Sequence, residues 1–158
     1  MSQALQRAQV KVILAGASGV GAVHDYERMS EDPGGVSGFF ERHFVRDGKV
    51  NGWVVLCKTL QPIVHTCSED ENRYQWTMRG YLSAEDSAAS KKTAEELVDT
   101  IVMRFAARPR LNSTATWSDK PEADEVTTGM IAFGEHTTKV HVMTIRFVSQ
   151  ERTVITYV

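Results

Sequence analysis

Apolar residues recur at helical spacing over residues 83–108, and this stretch constrains the fold more than any other. Ala94, Leu97, Val98, Ile101 and Phe105 fall on one face, while Glu95, Glu96, Asp99 and Arg104 fall mostly on the other. Ser83 is the expected N-cap, since its hydroxyl can accept from the free amides of a first turn. Glu85 and Asp86 follow it at the positive end of the helix dipole, with Asp86 an imperfect capping-box partner. Arg104 and Arg108 stand near the other end, and Pro109 blocks simple continuation. A helix with one apolar stripe has to lie on something, and the other long patterned segments read as strand. The helix is therefore expected to lie across a sheet, between an earlier pair of strands and a later set.

The earlier pair is residues 50–65 and 73–82. The first is rich in Val and aromatic residues, and Pro62 forces it to end, bulge or lie at an edge there. In the second, Tyr74, Trp76 and Met78 alternate with Gln75, Thr77 and Arg79, the period of a half-buried strand. The two should pair antiparallel, joined by a polar connection over 66–72. Ahead of them, Asp47-Gly48 is a hairpin-type turn. Residues 36–45 read as a short helix carrying Phe39, Phe40 and Phe44, after a loop of turn-forming composition at 30–35. After the long helix, residues 110–125 are polar and irregular, either an ordered loop or a mobile arm, with Trp117 as the one large anchor. Strands at 126–133, 139–148 and 153–158 then form a β-meander with short connections, which ties the C-terminus into the sheet. In the middle strand Met143, Ile145 and Phe147 alternate with Val142, Thr144 and Arg146.

Residues 2–15 admit two readings. One is a helix with Leu5, Ala8, Val12 and Ala15 inward; the other is a short helix running into a strand. Taken together, the pattern predicts an α+β fold. A mostly antiparallel sheet, built from the early hairpin and the C-terminal meander, packs against one long helix and one or two short ones. The 158 residues are expected to form a single domain.

Composition narrows the function classes. A formal net charge of −2 gives no general basic field for nucleic acid and no polybasic signal for membranes. No apolar run approaches the roughly 18 residues of a membrane span, and the apolar run at 12–15 is too short for a signal peptide. Cys57 and Cys67 are too few for a disulfide scaffold, and reduced thiols made in a cytoplasm are expected.

Several motifs invite chemistry and fail on spacing. Glycines at 16, 19 and 21 follow a candidate strand but run G-x-x-G-x-G, and Ala22 and Val23 stand where a phosphate loop needs Lys and Ser/Thr. The main reading is a turn, and a small nucleotide- or ligand-binding domain using 16–21 is the alternative. Ser18, His24 and Asp25 lack a nucleophile elbow. The histidines at 24, 43, 65, 136 and 141 show no metal-ligand spacing, although His136 and His141 could approach across a hairpin. The acidic run 68–71 lacks a calcium-loop frame. No catalytic, metal or cofactor site is expected, and the chain does not read as an enzyme. What rises above background is a set of aromatic and charged residues favoured at interfaces: His24, Asp25, Tyr26, Arg28, Trp53, Arg79, Tyr81 and Trp117. Core packing is the competing reading for Trp53 and Trp76.

The order of landmarks carries a resemblance. VHDYERM (23–29), GKVNGWVV (48–55), RYQWTMRGYLSAEDSAASKKTAEELVDTIVMRF (73–105) and VTTGMIAFGEHTTKVHVMTIRFV (126–148) together resemble the small head–tail joining proteins of tailed bacteriophages and prophages, over about four-fifths of the chain. The resemblance implies a tail terminator or tail-completion protein, a structural virion protein with helices on one side of a sheet. It implies a ring, usually of six copies, that caps the tail tube, meets the head connector and lets DNA pass through. The implied partners are the chain itself, the tail tube protein and the neck or connector proteins, with no membrane and no sequence-specific nucleic acid. The implied place is the tail–neck junction of the virion, after synthesis in the bacterial host cytoplasm. Another neck protein, collar or gateway, is the nearest alternative, because the sequence departs from the pattern at 16–21 and 110–125. Residues 23–29 and 110–125 are the expected contact segments between copies, since a cyclic ring needs a different patch on each flank.

Overall fold

The computed structural model describes residues 3–26, 44–46, 48–65, 69–85, 89–133 and 136–154. Two helices and a mostly antiparallel sheet account for most of them, the α+β architecture expected. In chain order the elements are α1 (Gln3–Ala15), β1 (Ala22–His24), β2 (Val45–Arg46), β3 (Lys49–His65), β4 (Glu69–Ser83), α2 (Ser90–Ala106), β5 (Trp117–Ser118), β6 (Glu122–Ala123), β7 (Thr127–Phe133) and β8 (His136–Val154). The sheet runs β1-β3-β4-β8-β5, with β2 also on β3, and β6 and β7 also on β8. Every pairing is antiparallel except β1 with β3.

Strand alternation splits the sheet into two faces. One carries Trp53 and Val55 of β3, Tyr74, Trp76 and Met78 of β4, and Met143, Ile145 and Phe147 of β8, all buried. Register stacks them in rows, Val55–Met78–Ile145 and Cys57–Trp76–Phe147. Both helices lie on this face. The stripe read from sequence on α2 is the one that is buried: Ala94, Leu97, Val98, Ile101 and Phe105. Fully burying a side chain such as Ile101 contributes about 1.5–3 kcal/mol, and Phe105 closes the row against Phe147 at 5.2 Å between ring centroids.

Helix α2 starts later than expected, and Ser83 does not cap it. Ser83 ends β4, where its Oγ accepts the Val50 amide at 2.7 Å. Ala89 is the N-cap, in left-handed backbone with φ 50°, and makes no side-chain cap bond. Ser90 Oγ instead accepts the Glu85 amide, and Glu85 pairs with Lys49. Asp86 lies outside the described residues. At the other end, Arg104 is not simply a solvent-facing charge. Its Nε donates to the Ile13 carbonyl at 2.7 Å, so a cation on α2 meets the negative end of α1.

Helix α1 resolves the ambiguity at 2–15 in favour of helix, but the face is not the one expected. Gln6, Val10, Ile13 and Leu14 are buried, while Leu5, Ala8, Val12 and Ala15 are exposed. A glutamine stands at a core position where the sheet meets its amide oxygen: Ser149 Oγ donates to Gln6 Oε1, while Gln6 Nε2 has no partner among the described residues. The same residue corrects the meander. Residues 149–152 are not a connection but continue β8, a single strand that pairs with β4 from Ser83↔Val140 to Glu69↔Val154. Residues 69–72 are likewise strand rather than connection. The later strands are therefore one hairpin, β7–β8, and residues 155–158 lie outside the described set. The early hairpin turn holds, with Gly48 at φ 73° and β2 paired to β3. Of the short helix expected at 36–45, residues 36–43 lie outside the described residues and Val45 begins β2. Of the outcomes open at Pro62, β3 does not end there but runs on to His65, with a register shift between Leu60 and Val64.

Gly80 is required by a close approach. It pairs with Trp53 across β3 and β4, and a Cβ there would lie 2.5 Å from the buried indole. Gly80→Ala should therefore destabilise the fold by about 1–3 kcal/mol, the usual cost of overpacking a tight core. Urea unfolding would show this as a lower midpoint with unchanged slope.

Candidate assembly surfaces

Of the two expected contact segments, residues 23–26 and 110–125 are described, and they lie at opposite edges of the sheet. At one edge, β1 leads into Asp25 and Tyr26. His24 is buried, its ring tilted against Phe44 at 5.2 Å. Asp25 is held from two sides: Lys11 reaches its carboxylate at 3.5 Å, and Arg7 donates to its carbonyl at 2.8 Å. Tyr26, next in sequence, is 50% exposed. Arg28 lies outside the described residues.

At the other edge, residues 110–125 are ordered and add β5 and β6 to β8. Trp117 is not the anchor of this segment. Leu111 and Ala115, both fully buried, are the anchors, and Trp117 is left 47% exposed. The turn that sinks Leu111 is costly in backbone terms. Leu111, Asn112 and Ser113 all have positive φ, at 45°, 55° and 70°. Hydrogen bonds hold it: Thr114 Oγ1 donates to the Leu111 carbonyl, and Asn112 donates to Gln9 of α1. Further along, Arg146 of β8 pairs with Asp124 at 2.8 Å.

The remaining sequence-predicted residues separate by face. Trp53 is fully buried under the helices, so the core reading holds for it and the surface one does not. Arg79 is exposed on the opposite face of β4, and Tyr81 is half-buried there. Tyr81 meets Phe44 edge-on at 6.1 Å, so Phe44 brings His24 and Tyr81 together. Phe44 and Tyr81 belong to a second apolar cluster on that face, with Val50, Val54 and Val140.

The glycine run is a turn tied down by one side chain. Asn51 Oδ1 accepts the Gly21 amide at 3.0 Å, and its Nδ2 donates to the Gly19 carbonyl at 2.9 Å. The amides of Gly16 and Ala17 bond back to the Val12 and Leu14 carbonyls of α1, and the Val20 amide to the Ala17 carbonyl. Those four amides are committed and are not free to cradle a phosphate.

Sequence reasoning missed a buried polar node at the start of α2. His136 and His141 lie five residues apart on one strand, not across a hairpin. His141 is buried, and both ring nitrogens meet hydroxyls at 2.8 Å, Ser90 Oγ at Nε2 and Thr128 Oγ1 at Nδ1. One imidazole thus joins α2, β7 and β8 beneath a groove of about 430 Å³ edged by Lys91, Lys92 and Lys139. Burial first, then the Lys91 and Lys139 charges, hold His141 below its ordinary value, against an opposing pull from Glu95. The available signal was inward parity: position 141 shares its face with 143, 145 and 147.

The other missed polar site lies under α1. Trp76 Nε1 donates to Ser149 Oγ at 2.8 Å, Ser149 donates onward to Gln6, and Tyr74 donates to Glu151. Burial and the Glu151 charge push the Tyr74 phenol up to about 12. Nearby, Gln3 donates to the Cys57 thiol, which burial also pushes up; Cys67 lies outside the described residues. Among the described residues no three His, Cys, Asp or Glu side chains converge as a metal site would require, and no helix is long and apolar enough to cross a membrane. In comparisons with known proteins, no family model matches the chain and no curated protein matches its sequence.

The His141 node sets a pH dependence. The folded ring resists protonation more than the unfolded one, whose ordinary value is 6.5. Its contribution is therefore complete above about pH 6.5 and is lost as pH falls below it, until the folded ring itself takes the proton. His141→Gln should flatten that part of the curve relative to the natural chain. Urea midpoints for both proteins between about pH 5 and 8 would measure the difference.

Proposed function

We propose that this chain is a ring-forming structural subunit of the phage tail–neck junction, a tail terminator or tail-completion protein. The reading rests on its resemblance to the head–tail joining proteins. The observation that supports it best is the placement of the two contact segments. Tyr26 follows β1 at one end of the strand order, and Trp117 lies on β5 at the other. Two different patches on opposite flanks are what a head-to-tail ring uses, because each flank meets the other flank of the next copy. Large exposed aromatics suit the centres of such contacts. In this role the protein binds and does no chemistry on a substrate. A closed ring covers the last layer of the tail tube, stops its growth and presents its other side to the neck.

The test is solution mass by light scattering across a wide concentration range. Mass should climb toward a closed ring, about six chains if the usual ring size holds. Mass fixed at that of a single chain throughout would overturn the reading. Tyr26→Ala with Trp117→Ala should raise the half-assembly concentration at least tenfold, corresponding to about 1.4 kcal/mol or more per contact.

A further inference from the structure

Natural sheets protect their open edges, and the two long edges here are treated differently. At one flank, β7 pairs with β8 on one side through an unbroken register, Thr127↔Val142 to Phe133↔His136. Its sequence, TTGMIAF, has no charged residue and no proline, and no bulge interrupts it. Thr127, Thr128, Gly129 and Met130 are exposed, Met130 by 63%. Among the described residues nothing pairs with its other side, and an unbulged, uncharged edge of this length lacks the devices that prevent strand addition.

At the opposite flank, β1 covers β3 only from Gly52 to Val54. Among the described residues, positions 55–60 of β3 have a strand partner on the β4 side alone. This edge is defended: Lys58 is exposed near the middle of 55–60, and Pro62 lies within a register shift between Leu60 and Val64 that interrupts it. Two β3 edges brought together antiparallel about their middles would set the Lys58 charges close together, which disfavours that pairing. The uncharged β7 presents nothing to repel Lys58. The two edges are also similar in length, seven positions in β7 and six in 55–60.

We propose that β7 of one copy adds to the open edge of β3 in the next, so that the sheet continues from subunit to subunit. The inference rests on the ring reading above and names its main-chain contact. Hydrogen bonds along the strands supply attraction, and Lys58 selects the unlike edge. The pairing is heterologous, so it propagates around a ring rather than closing at two copies.

Two experiments test this. Met130→Lys places a charge on an exposed position of β7, where the fold has room for it. It should raise the half-assembly concentration at least tenfold by light scattering, with the far-ultraviolet circular dichroism of the natural chain retained. In a background with Cys57 and Cys67 changed to serine, subunits carrying Lys58→Cys are mixed with subunits carrying Met130→Cys and oxidised. These positions lie near the middles of the two edges, so either strand direction brings them close. A disulfide-linked dimer that forms only in the mixture supports the proposal. A linked dimer from Met130→Cys alone would overturn it in favour of β7 pairing with itself. Normal assembly by Met130→Lys would overturn the proposal and leave the ring reading intact. A natural chain that stays single at every concentration would overturn both.

Discussion

Two indoles are fully buried in this core; that of Trp53 has no hydrogen-bond partner among the described residues, while that of Trp76 has one, and much of the structure is tied together through it. The ring is fully buried in the middle of the sheet, on the face that both helices cover. Its acceptor is Ser149, which obliges β8 to continue as strand past residue 148 and to keep Ser149 in the inward register. Ser149 then needs an acceptor of its own, and Gln6 supplies it, which sets the face that α1 turns toward the sheet. Breaking one link would leave a buried polar group unsatisfied, at about 1–3 kcal/mol. The network therefore specifies register and orientation more than it adds attraction, while the apolar rows around it supply most of the cohesion.

The helices cover one face of the sheet, and so the other surfaces acquire different characters. Arg104 ties α2 to the end of α1, making the helical layer one unit. The opposite face carries its own smaller apolar cluster around Phe44, together with the exposed Arg79. The flanks carry an exposed tyrosine on one side, and an exposed tryptophan with an uncharged edge strand on the other. Such asymmetry between flanks is what distinguishes a subunit that can propagate around an axis from one that pairs once.

Legibility in the sequence followed the physics of each signal. The apolar stripe of α2 and the alternation in β4 and β8 were readable because long periodic runs bury one face whatever surrounds them. The start of α2 was not, because Ser83 suits a cap and also suits the Val50 amide, and only the neighbouring strand decides between them. The face of α1 is illegible for a related reason. Gln6 looks like a solvent residue, and nothing local reveals that Ser149 waits for it. Residues 110–125 looked irregular because their anchors, Leu111 and Ala115, depend on a left-handed turn that propensity disfavours. Among the candidate contact residues, Tyr26 and Trp117 proved exposed while Trp53 went inside, since aromatic character marks cores and interfaces alike.

The sequence by itself determined which segments bury a face, and with them the α+β class, the antiparallel early hairpin and the helix that lies across it. Period and turn chemistry are local, and they survive any arrangement of the rest. Tertiary structure alone decided where the polar residues went: Ser83 into a strand, Gln6 and Ser149 into the core, His141 between two hydroxyls. It also decided that residues 23–26 and 117–123 stand at opposite edges of one sheet. A polar side chain is buried only where a distant partner meets it, and that partner's position is a property of the whole fold.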